Sequence, residues 1–230
     1  MKQIFAMGGG GFSMEPENLA FDHFILSLAK KSLPRVCLLP TASGDHKNYV
    51  DLFYSVFDQL NCVPTHLSLF SPKTNDLEQF IMEQDIVYVT GGHTRNMLVL
   101  WKSWGLDKVL KKAYEAGVVM AGVSAGAVCW FKEGITDSVP GTVSKEADCL
   151  GLINSSWCSH FEGPGRKAVF VDHIQQGLLT AGYGVDNFVG LHFVNNQIAG
   201  AYTSRAVETI SHYEKVNGTV TETPIRVDMV

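Results

Sequence analysis

Val119-Met120-Ala121-Gly122-Val123-Ser124-Ala125-Gly126-Ala127 decides the reading of this chain. A short apolar run enters a turn of small residues and leaves toward Val128-Cys129-Trp130-Phe131, a stretch suited to open a helix. The pattern Gly-x-Ser-x-Gly, here Gly122-Val123-Ser124-Ala125-Gly126, is that of a nucleophile elbow. In such a turn the serine hydroxyl projects from the end of a strand, and the amide of the next residue faces the same space. The small neighbours let strand and helix approach closely. A tight crossover turn in which Ser124 only satisfies backbone groups is the plainer alternative.

Outward from that turn, apolar strands alternate with amphipathic helices. Ile4-Phe5-Ala6-Met7 reads as a first buried strand, followed by the run Gly8-Gly9-Gly10-Gly11. That run is not a dinucleotide fingerprint, because the next strand ends at Leu39-Pro40 without an acid, and a close backbone approach near a site mouth is its expected use. Helical periodicity covers 18–31, 49–60 and 75–82, and strands are expected at 35–40 and 65–70. A strongly apolar strand, Asp85-Ile86-Val87-Tyr88-Val89-Thr90, ends in Gly91-Gly92-His93-Thr94, and a helix follows. Residues 106–116 form another helix before the elbow strand. This rhythm predicts an α/β fold, a mostly parallel sheet sandwiched by helices, in a single domain over 1–230.

Beyond the elbow the pattern changes. Residues 132–158 carry Gly134, Pro140, Gly141 and Gly151 with only short apolar pieces, so loops and β-hairpins are expected there. A strand leads to Ser159-His160-Phe161-Glu162, and residues 167–179 read as a helix. Residues 189–194 and 198–202 form a hairpin around Asn195-Asn196, with further strands at 206–213 and near the end.

Composition narrows the partners. Eighteen basic against 23 acidic side chains give a net charge of -5 with no concentrated basic stretch, which argues against nucleic acid or an anionic membrane surface. No apolar run approaches the length of a membrane span, and the N-terminus lacks a signal-peptide core, so a cytoplasmic location is expected. Five cysteines without metal-ligand spacing, several in apolar runs, read as reduced, buried thiols. Trp101 and Trp104 mark an apolar edge suited to a homodimer, although core packing explains them equally.

A serine hydroxyl needs a base to become a nucleophile at neutral pH, and histidine is suited to the task. Of eight histidines, His160 stands out at the end of a strand, 36 residues after Ser124. His93, after the glycine turn, is either near the site or a helix cap. Open α/β sheets place ligands beyond the carboxyl ends of their strands, where both the Gly91-Gly92 turn and the elbow lie. Amides at that turn and at Ala125 are therefore candidate oxyanion donors.

The three motifs Tyr88-Val89-Thr90-Gly91-Gly92, Ala121-Gly122-Val123-Ser124-Ala125-Gly126-Ala127 and Ser159-His160-Phe161, in this order and spacing, resemble peptidase family S51. That family includes the aspartyl dipeptidase peptidase E and cyanophycinase, and its fold resembles the class I glutamine amidotransferase domain. The resemblance implies a serine exopeptidase that cleaves short peptides, dipeptides with N-terminal Asp above all. In it Ser124 is the nucleophile and His160 the base, and the amides of Gly92 and Ala125 form the oxyanion hole. Two acids remain open for the third triad position: Asp137, in the segment matching the family aspartate, and Glu162, two residues after His160. Arg166 matches the arginine that pairs with the substrate's acidic side chain, a planar fork suited to a carboxylate. No metal or organic cofactor is implied. A related amide hydrolase acting on β-aspartyl or cyanophycin-like peptides, and a non-catalytic small-molecule binding protein on the same fold, are the alternatives.

Overall fold

The computed structural model describes residues 1–139, 142–146, 148–206 and 209–230. The first half of the chain alternates as its sequence rhythm requires. Its strands are β1 (Gln3–Met7), β2 (Arg35–Leu39), β3 (Val63–His66), β4 (Ile86–Val89) and β5 (Val119–Val123). Between them run helices α1 (Ala20–Leu28), α2 (Lys47–Phe57), α3 (Leu77–Met82), α4 (Thr94–Trp104) and α5 (Leu106–Ala116). A four-residue helix, α6 (Ala125–Val128), follows β5 directly. β3 ends earlier than its sequence suggests, because Asp45 captures the chain beyond it: one carboxylate oxygen accepts from the Ser68 hydroxyl and from the Leu69 and Phe70 amides.

The second half holds β6 (Phe131–Thr136), β7 (Ser144–Glu146), β8 (Ile153–Ser159), α7 (Arg166–Gln175), β9 (Gly182–Val185), β10 (Val189–Val194), β11 (Gln197–Thr203), β12 (Ile210–Val216), β13 (Thr219–Pro224) and β14 (Asp228–Met229). Two sheets result. The larger runs β14-β11-β10-β1-β5-β4-β2-β3, parallel from β1 to β3 with β10 antiparallel on β1. The β10–β11 hairpin turns at Asn195 and Asn196, both in the left-handed region at φ 50° and 68°, as a two-residue hairpin requires.

The smaller sheet, β13-β12-β9-β8-β6-β7, corrects the expectation of loops and hairpins over 132–158. β6 and β7 do form an antiparallel pair, but β6, β8 and β9 run parallel to one another. Pro140 and Gly141, named for that stretch, and Val207 and Glu208, in the strand expected at 206–213, lie outside the described residues.

Strand alternation sorts the core into layers. Phe5, Met7, Val36, Leu38, Tyr88 and Val123 face one way, against α1 and α2. Ile4, Ala6, Leu39, Val89, Met120, Leu191 and Phe193 face the other way, against α4, α5 and the inner side of the second sheet, where Phe131 and Trp157 stack at 4.6 Å. The outer side of that sheet buries Ile135, Cys158 and Tyr213 under Phe170 and Ile174 of α7. Trp101 belongs to this interior, fully buried with its indole N–H donating to Thr41 Oγ1 at 3.1 Å, whereas Trp104 is exposed. Phe12, the residue after the glycine run, is buried among Tyr49, Phe53, Phe57 and Tyr88 with ring centroids 5.4–5.7 Å apart. Edge-to-face pairs of this kind add about 0.5–1.5 kcal/mol each beyond simple burial, so the loop after β1 is pinned where it meets the carboxyl edge of the sheet.

Candidate active site

Ser124 stands between β5 and α6 at φ 54° and ψ -114°, a strained conformation for a residue with a side chain. Two features of the sequence make the turn feasible. A Cβ at Gly122 would run into the carbonyl of Gly126, and one at Gly126 into the carbonyl of Val89, so both glycines of the motif are required by close backbone approach. The Ser124 amide donates to the Met7 carbonyl at 3.0 Å, which ties the elbow to β1.

His160, directly after β8, also has positive φ, at 51°. Its Nε2 lies 2.8 Å from Ser124 Oγ, and its Nδ1 lies 2.6 Å from Asn187 Oδ1. Asn187 follows β9, the strand beside β8. Glu162 sits behind it: one carboxylate oxygen accepts from Asn187 Nδ2, and the other from the Asn187 backbone amide at 3.2 Å. These contacts have one consistent direction. A carboxylate only accepts, so the Asn187 amide must turn its NH2 to Glu162 and its oxygen to His160. Nδ1 then carries the ring proton, and Nε2 is left as the acceptor for the Ser124 hydroxyl.

The expected acids are therefore placed differently from one another. Glu162 reaches His160 only through Asn187, while Asp137 lies on Arg166, Oδ2 to Nη2 at 2.7 Å. Arg166 is itself buried, and its Nη1 donates to the Ser159 carbonyl at 3.2 Å. The guanidinium expected to read a substrate carboxylate is thus engaged within the chain.

Around the hydroxyl, the Gly91–Gly92 turn after β4 lies against the elbow: a Cβ at Gly91 would fall 3.9 Å from Ser124 Oγ. Gly92, at φ 137°, is pressed on the carbonyl of Ala42, where any Cβ would collide. His93 caps α4, its Nδ1 accepting from the Asn96 amide at 3.2 Å. Ala125 opens α6, and an amide in the first turn has no partner within its helix. Tyr49 lies beside the Gly91 backbone, and burial pushes its phenol up, so it stays neutral there. Cys158, two residues before His160, is no rival nucleophile because burial pushes its thiol up to about 12.

Sequence reasoning missed Asn187. The one signal that pointed toward it was the glycine run: a Cβ at Gly9 would collide with Asn187 Oδ1, and the Phe188 amide donates to the Gly9 carbonyl at 3.2 Å. The close approach expected of that run is an approach to the residue that contacts His160.

A serine on a strained strand-to-helix turn at the carboxyl edge of an α/β sheet, within hydrogen-bonding distance of a histidine, defines the class of α/β serine hydrolases. Within that class the assignment is specific. A family model described as peptidase family S51 matches residues 4–200, and the chain belongs to that family as a serine-type peptidase. It is 52% identical over 207 residues to the uncharacterized peptidase YgaJ of Bacillus subtilis (strain 168), covering 90% of this chain and 89% of that protein. It is 30% identical over 141 residues to the uncharacterized peptidase Lmo0363 of Listeria monocytogenes, covering 58% of this chain and 69% of that protein. Among solved structures, a peptidase from an acI-B1 actinobacterium shares the fold with a TM-score of 0.71 at 15% identity, covering 99% of this chain and 95% of the other.

Proposed function

We propose that this protein is a serine exopeptidase acting on short peptides, dipeptides in particular, through Ser124, His160 and Asn187. The 2.8 Å contact between Ser124 Oγ and His160 Nε2, on a strained elbow, carries the reading. Ser124 attacks the scissile carbonyl while His160 takes its proton. The oxyanion that forms is met by the amides of Gly92, in the turn beside the elbow, and of Ala125, next to Ser124. His160 then returns the proton to the leaving amine, and water repeats the sequence on the acyl-enzyme. Asn187 holds the imidazole in the reactive tautomer, with Glu162 fixing the amide. A substrate aspartate would have to displace Asp137 from Arg166, so the reading places no acidic requirement on the first residue. A cytosolic setting is supported by five free cysteines, four of them buried.

The test is hydrolysis of dipeptides beginning with Asp, Glu, Asn, Ala and Leu, run beside labelling by a fluorophosphonate in wild type and Ser124→Ala. Cleavage and labelling that both vanish in the variant are expected. Labelling without cleavage of any peptide would sink the dipeptide claim and turn the search to β-linked aspartyl amides.

A further inference from the structure

We propose that Asp137 is the receptor for the free α-ammonium of the substrate's N-terminal residue, an inference that rests on the exopeptidase reading above. An enzyme that recognises a chain start must bind a cation with three hydrogen-bond donors, and a carboxylate is the matching group. Several acids of the surrounding elements are committed within the chain, and Asp22, though unpaired, is fully buried. Glu162 uses both oxygens on Asn187, Glu146 accepts from Arg95, Glu15 holds Arg205 and Ser204, and Asp186 accepts from Thr209. Asp137 differs: one oxygen is held by Arg166 at 2.7 Å, the side chain is 67% exposed, and among the described residues no other ion pair engages it.

Its position is set by register. β6 pairs parallel with β8, with Ile135 opposite Cys158, so Asp137 follows the end of β6 at the same carboxyl edge where His160 follows the end of β8. The segment is tied across the mouth as well. The Thr136 hydroxyl meets the Thr94 hydroxyl at 3.2 Å, and Ser138 Oγ accepts from the Arg95 amide at 3.3 Å, just beyond the Gly91–Gly92 turn. The Asp137 segment is thus held on one side by the start of α4 and on the other by Arg166, whose Nη1 reaches the carbonyl of the residue before His160. Arg166 plays the part of an anchor. Buried and fixed to the Ser159 carbonyl, it holds the carboxylate by one oxygen and leaves the other without a hydrogen bond among the described residues. The pair thus reads a substrate amine, and the arginine does not read a substrate acid.

The experiment compares L-alanyl-L-alanine with propionyl-L-alanine, which lacks only the amine, by calorimetric titration of Ser124→Ala and of Ser124→Ala carrying Asp137→Asn. The expected result is binding of the free-amine peptide about 2- to 5-fold tighter than its partner when Asp137 is present, the range for an ion pair made by an exposed carboxylate. Asp137→Asn should erase that difference by weakening the free-amine peptide alone, and Asp137→Glu should restore part of it. The asparagine oxygen can still accept from Arg166, and an unchanged melting temperature checks that the segment is intact. Equal affinity for the two peptides with Asp137 present, equal weakening of both by Asp137→Asn, or no binding of either at millimolar concentration would overturn the proposal. Tight, amine-dependent binding without hydrolysis of L-alanyl-L-alanine by the wild type would instead defeat the peptidase reading and leave the ammonium site standing. Equal kcat/KM for both compounds would do the reverse.

Discussion

Replacing Glu162 by Gln keeps the shape of the side chain and removes both its charge and its acceptor-only character. In the native arrangement a flipped Asn187 amide would set its oxygen against a carboxylate and lose a charge-assisted hydrogen bond worth about 1.5–3 kcal/mol. The reactive orientation is therefore dominant. With Gln, either group can donate or accept, the two orientations become nearly equal, and about half the molecules hold the wrong histidine tautomer. A second loss is electrostatic. Glu162 acts on the imidazolium across one amide, and because it is exposed the interaction is worth about 1 kcal/mol at most. Together these predict about a tenfold fall in kcat with KM changed less than about twofold. The decisive comparison adds Asn187→Asp. That change places a carboxylate directly on Nδ1 but leaves it in contact with Glu162, and two adjoining carboxylates resist ionising together. Glu162→Gln should relieve that repulsion, so the same substitution that lowers kcat in the wild type should raise it in Asn187→Asp. Steady-state hydrolysis and the rate of fluorophosphonate inactivation would both be measured across the four proteins. An equal factor in the two backgrounds would refute the relay, since residues acting through one another cannot be additive.

Two further outcomes follow from packing and burial. Gly126→Ala should lower the melting temperature by several degrees, because the added Cβ meets the Val89 carbonyl and an overpacking cost of about 1–3 kcal/mol outweighs the better helix propensity of alanine; calorimetry checks it, and an unchanged or raised midpoint would contradict the close approach. Asp22 is fully buried with neither carboxylate oxygen hydrogen-bonded among the described residues, and burial raises it from 3.8 to about 7. Its folded-state affinity for the proton exceeds the unfolded one, so its contribution is complete below about pH 4 and is lost as pH rises to about 7, up to roughly 4 kcal/mol in all. Asp22→Asn should accordingly be more stable than the wild type at pH 8 by a margin that shrinks toward pH 4; chemical denaturation across that range tests the sign, and a pH-independent margin would exclude it.

The legible part of this fold is the part whose strands are buried on both faces. β1, β2, β4 and β5 read as short continuous apolar runs, and in each the alternate residues feed two cores. The second sheet gave no such signal. β9 is Gly-Tyr-Gly-Val, and glycine is a poor strand residue in isolation, yet here both glycines are forced: a Cβ at Gly182 would strike the Ser156 backbone, and one at Gly184 the Phe161 ring. The sequence of β9 records a tertiary crowding that periodicity cannot see.

The same cause hides the residue that contacts His160 Nδ1. Glu162 was visible because it lies two residues from His160, and proximity along the chain is all that spacing measures. Yet His160 has positive φ, so the chain turns sharply there, and the side chain two positions on meets the imidazole only through a neighbour. That neighbour is delivered by β9, the parallel strand beside β8, 27 residues after the histidine. An amide at this position is uninformative on its own, since it could present either end to the ring. It acquires a direction only from the carboxylate behind it, and room for it exists only because Gly9 has no side chain. Glu162, Asn187 and Gly9 thus meet at one place from three separate segments. Each alone has an ordinary surface or turn explanation, and their chemistry follows from the pairing of β8 with β9 and the passage of the glycine run across it.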